Sequence, residues 1–183
     1  IFLHGAGNDD TKGVLTSFTD YWGDVAKFTP QCSERYFIRE NTKRNGWNAP
    51  DLQQKYCALA LRGNTGKVVK NKIIFAHSMG NLILASAIKN GICDIDRATT
   101  SWYNVQGPLR GSKAAQYLED TCSGKKKGPL AAVVKGISTM IYYCIKDTKL
   151  AFPAYAELRS DFCSIKMCMN QIASIVQKYA KGS

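Results

Sequence analysis

Apolar runs and helix-spaced apolar positions alternate over the first hundred residues of this chain. Ile1-Phe2-Leu3 is a short β-prone run that stops at a glycine-rich turn, His4-Gly5-Ala6-Gly7-Asn8. Val14, Leu15, Phe18, Trp22 and Val25 follow, and their spacings of three and four predict one face of a helix ended by Pro30. Tyr36-Phe37-Ile38 reads as a second strand and runs into a polar stretch from Asn41 to Pro50. A helix is expected from about Asp51, because Leu52, Tyr56, Leu59 and Ala60 share a face and Pro50 suits a first turn; Gly63 bounds it. Lys72-Ile73-Ile74-Phe75-Ala76 has the pattern of a strand covered on both faces. Asn81 to Lys89 is dense in Leu, Ile and Ala, with Asn90-Gly91 as its stop, and Ser101 to Val105 is the last strand expected. The alternation predicts an α/β fold, a mostly parallel sheet with helices on both faces.

From Ser112 onward the pattern changes. Val133, Ile137, Met140, Ile141 and Cys144 fall on one helical face, as do Ile165, Cys168, Met169, Ile172, Val176 and Tyr179, and no strand is expected. Residues 1–112 therefore read as the α/β core, and 113–183 as a helical cap or lid, or as the remainder of the same domain. For the first stripe, plain core packing explains the pattern as well as a lid does.

The densest chemistry lies in Phe75-Ala76-His77-Ser78-Met79-Gly80-Asn81. A buried strand, a five-residue turn with serine at its centre and a helix follow one another at once. Ala-x-Ser-x-Gly departs by one residue from the Gly-x-Ser-x-Gly nucleophile elbow, whose sharp reversal needs small residues two before and two after the serine. Such a turn lifts the hydroxyl to the carboxyl edge of the sheet, beside a helix N-terminus that favours developing negative charge. The plainer alternative is an ordinary strand-turn-helix in which Ser78 caps the helix.

Three segments together resemble the lipase and esterase branch of the α/β-hydrolase superfamily. Phe2-Leu3-His4-Gly5-Ala6-Gly7 looks like its His-Gly oxyanion loop, Ala76-His77-Ser78-Met79-Gly80 like its elbow, and Val105-Gln106-Gly107-Pro108-Leu109-Arg110-Gly111-Ser112 like the Gly-x-Pro-x-x-Gly-Ser segment after the sixth strand. The resemblance implies that residues 1–112 hold the third to sixth strands of an incomplete α/β-hydrolase fold. It also implies that Ser78 attacks a carboxylic ester, with the backbone N–H groups of Ala6 and Met79 holding the oxyanion at about 3 kcal/mol per donor. Gly7 is the other candidate donor after Gly5. His4, Gly5, His77 and Gly80 support the two loops.

A serine hydroxyl needs a base to take its proton. The chain has two histidines, and both lie inside the motifs. In the implied order, Ser then acid then His, both partners fall beyond residue 112, where there is no histidine. Asp94 and Asp96 fall on the wrong edge of the sheet, and none of the later carboxylates is assigned as the acid. The expectation is a fragment of a longer secreted hydrolase whose final strands carry acid and base; the chain also starts at Ile1 with no initiator Met or leader pattern. The alternative is a hydrolase-fold binding or structural module without catalysis.

At 183 residues, 45% of them apolar, the chain can bury one sizeable core but not two. Seven cysteines without a Cys-x-x-Cys pair suggest disulfides in an extracellular or lumenal compartment, and the odd count leaves one outside any internal pair. Scattered buried thiols are the alternative. The net charge of +11 admits an anionic surface as partner. Only Lys125-Lys126-Lys127 forms a run, without interleaved aromatics, so nucleic acid is not expected. No stretch is apolar and long enough to span a membrane, and neither metal nor organic cofactor has a signal. The substrate expected is a small-molecule or lipid ester.

Overall fold

The computed structural model describes residues 1–125, 127–129, 144–145, 149–150, 153–159 and 167–181. Its centre is a six-stranded sheet. β1 (Phe2–Leu3) lies between β3 (Phe37–Arg39) and β5 (Ile73–His77), and β5 pairs in turn with β7 (Ser101–Val105), all in parallel. β2 (Gly13–Leu15) closes the β3 edge in antiparallel register, Val14 opposite Ile38. At the other edge β10 (Ala180–Lys181) runs parallel to β7, with Ala180 opposite Trp102. The remaining strands are short: β4 (Val68–Val69) pairs with β6 (Asp94–Ile95), and β8 (Cys144–Ile145) with β9 (Lys149–Leu150).

Successive strand residues face opposite ways, and here the two faces differ. Leu3, Ile38, Ile74, Ala76 and Trp102 point to one side and are at most 1% exposed. Three helices cover that side: α2 (Pro50–Ala60), α3 (Met79–Lys89) and α6 (Met167–Tyr179). Pro50 at the start of α2 loses no hydrogen bond, since a first-turn N–H has no intrahelical partner. α3 is buried on nearly every side, with Leu82, Ile83 and Leu84 fully enclosed. Each such side chain contributes roughly 1.5–3 kcal/mol of burial. From α6, Ile172 and Val176 join the same cluster, on the face that their spacing predicts.

The opposite side carries an aromatic ladder. Phe37, Phe2, Phe75 and Tyr103 stack across four neighbouring strands with ring centroids 4.6, 5.1 and 5.2 Å apart. Its cover is α1 (Thr19–Trp22) and a 3-10 turn (Val25–Phe28), which reach Phe2 and Phe37 but leave Ile73 44% and Tyr103 37% exposed. The apolar run Lys72–Ala76 therefore forms the expected strand, but only one of its faces is fully buried.

Two expectations fail on local grounds. The predicted helix from Val14 to Val25 is instead strand β2, then α1, then the 3-10 turn. Gly13 with φ 72° and Gly23 with φ 62° break the helix at both ends, and β2 gains backbone partners on β3. The absence of strands beyond Ser112 fails as well: β8, β9 and β10 are two residues each, too short for a period-2 pattern to register. Cys144 sits in β8 rather than in a helix. The rest of the first stripe, Val133 to Ile141, lies outside the described residues.

A disulfide joins Cys57 of α2 to Cys93, 36 residues on, and Cys122 is disulfide-bonded too; Cys32 is free. Closing a loop of that length contributes roughly 4 kcal/mol on the chain-entropy account. Among the described residues no helix is long and apolar enough to cross a membrane.

Candidate active site

Ser78 sits between the carboxyl end of β5 and the first turn of α3, with φ 50° and ψ −127°. An L-residue rarely adopts this backbone, at a cost of about 1–3 kcal/mol, so its neighbours must enforce it. They do so through both peptide groups. The Ser78 N–H donates to Val105 O at 2.8 Å. Asn81 Nδ2 donates to Ala76 O at 2.7 Å and to Ser78 O at 3.2 Å. Trp102 Nε1 donates to Asn81 Oδ1 at 3.1 Å and fixes the amide's orientation from beneath. The Ser78 side chain does not cap α3, so the plain capping arrangement is not the one formed.

The glycines follow from close approach. A Cβ on Gly80 would lie 2.7 Å from the carbonyl oxygens of both Leu3 and His4, and one on Gly5 would lie 2.7 Å from Ser78 Cβ. Nothing larger than glycine fits either place without backbone movement. Ala76, on β5, is wholly buried. The loop after β1 is thereby pressed directly against the Ser78 side chain.

That loop is held rigidly. Tyr56 Oη donates to His4 O at 2.7 Å, and Thr42 Oγ1 to Gly5 O at 2.7 Å. His4 is fully buried; its Nε2 accepts the Glu40 N–H at 3.1 Å, so Nδ1 carries the proton and donates to Gly5 O at 2.8 Å. Burial pushes the His4 pKa down to about 4, with the Gly5 carbonyl opposing, so the ring is neutral at neutral pH. Of the three consecutive N–H groups, that of Gly5 donates to Tyr21 Oη at 2.8 Å and that of Gly7 to Thr42 O at 3.2 Å. The N–H groups of Ala6 and Met79 have no acceptor among the described residues.

His77 is also engaged. Its Nε2 faces Gln106 Oε1 at 3.2 Å and its Nδ1 faces Tyr21 Oη at 2.6 Å. Neither histidine has a hydrogen bond to Ser78. Asp94 and Asp96 lie at the connection between α3 and β7, where Asp96 caps a turn through Ala98 and Thr99. That is the sheet edge away from Ser78.

Part of the chain beyond Ser112 lies over the same loops. Ser112 caps α4 (Lys113–Cys122), and its N–H donates to Leu158 O at 2.7 Å. α5 (Pro153–Glu157) brings Tyr155 Oη within 3.1 Å of where a Gly7 Cβ would be. Trp47 Nε1 donates to Glu157 O at 2.7 Å, and the Asn48 N–H to Glu157 Oε2 at 2.8 Å. Burial raises the Glu157 pKa, with the Asn48 N–H opposing. By contrast, a recess of about 740 Å³ lined by Ile1, Cys32, Glu34, Arg62 and Lys72 opens at the amino ends of β1 and β5, away from Ser78.

By sequence, no protein family and no curated protein matches the chain. By structure, it is similar to the lipase BlEst2 of Bacillus licheniformis. With the mature form the TM-score is 0.52 at 16% identity, covering 97% of this chain and 57% of that one. With the propeptide form the values are 0.53 and 16%, over 88% and 29%. The chain has a lipase-like α/β fold. It spans little more than half the length of the mature lipase.

Three residues at the site were not singled out by the sequence. Tyr21 falls where the apolar spacing predicts a helix, Gln106 is part of the segment after β7 but with no role of its own, and Asn81 lies within an apolar helix. Only Asn81 left a signal: an amide inside a run of Leu, Ile and Ala must find buried partners.

Proposed function

We propose that this chain is the nucleophile-bearing part of a serine hydrolase of lipase or esterase type that acts on carboxylic esters. The strained backbone of Ser78, packed against a loop with unengaged N–H groups, carries this reading. Ser78 Oγ attacks the ester carbonyl carbon and gives its proton to a general base. The carbonyl oxygen becomes an oxyanion held by the Ala6 and Met79 N–H groups at the positive end of α3. Collapse expels the alcohol, which takes the proton, and leaves an acyl-serine for water to hydrolyse. No cofactor enters these steps.

His4 is buried and neutral, His77 is committed to Tyr21 and Gln106, and neither is the base. The reading therefore places the acid and base in polypeptide beyond these 183 residues. The half-covered aromatic ladder supports this, because Ile73, Phe75 and Tyr103 form a sheet face that further chain would bury. Of the region 113–183, expected as a cap or as the remainder of the domain, we propose that α5 covers the acyl site, supported by Tyr155 beside Gly7, whereas α6 and β10 pack with the core. The Cys57–Cys93 disulfide supports an extracellular or lumenal setting, and the charge of +11 an anionic surface as the place of action.

The engaged state of both histidines favours a second reading, a hydrolase-fold binding module without catalysis. Ester hydrolysis separates the two. The full-length protein should hydrolyse p-nitrophenyl butyrate in a manner abolished by Ser78→Ala, and the 183-residue chain should not. A full-length protein with no Ser78-dependent rate supports the binding module.

A further inference from the structure

We infer that Tyr21 is a positioning residue of this site, tying the oxyanion loop to the nucleophile elbow. The inference rests on the hydrolase reading and deepens it. Tyr21 Oη bonds to both loops: it accepts the Gly5 N–H at 2.8 Å and meets His77 Nδ1 at 2.6 Å. Because His77 Nε2 faces the acceptor Gln106 Oε1, Nε2 carries the ring proton. Nδ1 is then an acceptor, and the Tyr21 hydroxyl donates to it. The chain of donors runs from Gly5 N–H to Tyr21, from Tyr21 to His77, and from His77 to Gln106. It links the loops that follow β1, β5 and β7.

Two consequences follow for the oxyanion hole. Engaging the Gly5 N–H, with the Gly7 N–H already on Thr42, leaves Ala6 as the loop's available donor. His77 and Gly5 also flank the Ser78 side chain, since a Gly5 Cβ would touch both Ser78 Cβ and His77 O. A tether between them fixes the distance from Ser78 to the Ala6 N–H. Errors of about 1 Å at such a distance can cost on the order of a hundredfold in rate. The ring itself is braced by Phe18, Trp22, His4 and His77, with centroids 5.4 to 5.6 Å away. Burial raises the Tyr21 pKa, with its backbone partner Gly5 opposing, so the hydroxyl stays a donor.

The test is Tyr21→Phe in the full-length protein, which keeps the ring and removes only the hydroxyl. With p-nitrophenyl butyrate, kcat per active site, counted by fluorophosphonate titration, should fall about tenfold while KM stays within about twofold. Affinity for a trifluoromethyl ketone, which forms a serine-bound oxyanion, should fall in parallel. His77→Ala should produce a similar loss, and the double variant little more than either single one. Tyr21→Phe with unchanged kcat per site overturns the inference. So does a fall traced wholly to fewer titratable sites, which is what simple destabilisation would produce. Amide hydrogen exchange provides a readout independent of catalysis. Gly5 should lose protection by about tenfold in Tyr21→Phe, and unchanged protection means that the tether does not exist. A wild-type protein that takes no fluorophosphonate at Ser78 contradicts the hydrolase reading instead, and the exchange result still decides the tether.

Discussion

A Cβ at either Gly80 or Gly46 would meet close neighbours, but the neighbours differ in kind. At Gly80 they are the backbone carbonyls of Leu3 and His4; at Gly46 they are the carboxylate of Glu157, the far end of a flexible side chain. The first glycine belongs to the elbow, where backbone meets backbone and Asn81, Trp102 and Val105 enforce a strained serine. The second belongs to the seat of α5, which rests on the Trp47 and Asn48 bonds to Glu157, the Ser112 bond to Leu158 and the Arg159–Glu119 ion pair at 3.1 Å. Under the proposed function, the first kind of contact would hold the geometry around Ser78 fixed, and the second would suit a covering segment.

Substitutions at each place should separate the two. Gly80→Ala should be the most damaging, destabilising by about 3 kcal/mol and abolishing any reaction at Ser78, as read by thermal unfolding and probe labelling. Asn81→Ala leaves the Trp102 indole N–H and the Ala76 carbonyl without their partner, so a loss of about 2–3 kcal/mol is expected in denaturant unfolding. His4 adds a pH signature. Its pKa is lowered on folding from 6.5 to about 4, so the stability it contributes is present above 6.5 and is lost as pH falls toward 4. Replacing His4 with Gln should flatten that part of the stability–pH curve. Glu157→Gln should have the smallest effect, with the opposite sign. A carboxyl whose pKa rises on folding stabilises below its unfolded value of 4.5 and less as pH climbs through the folded one. The glutamine should therefore raise Tm slightly at pH 7 and lose that advantage near pH 4. Gly46→Ala should cost under about 1 kcal/mol, since Glu157 can swing aside.

The same contrast explains which parts were legible in sequence. The elbow was readable because its steric demands fall on neighbouring residues: Ala76 and Gly80 must be small, and the strand and helix adjoin them. The helices α2 and α3 were readable from apolar spacing alone. Tyr21 was not, because its meaning lies in contacts with Gly5 and His77, 16 and 56 residues away, and its own neighbourhood has a misleading helical spacing. β10 escaped because two residues carry no period, although pairing with β7 places them in the central sheet. The uneven cover of the two sheet faces was equally hidden, since Ile73 and Phe75 are as apolar as Ile74.

The account turns on Ser78 being a nucleophile rather than a turn residue. Incubating the native full-length protein with a fluorophosphonate and mapping the modified peptide tests this directly. The account predicts a single adduct on Ser78, absent after denaturation before labelling and absent in Ser78→Ala. A folded, full-length protein that carries no adduct on Ser78 would contradict it.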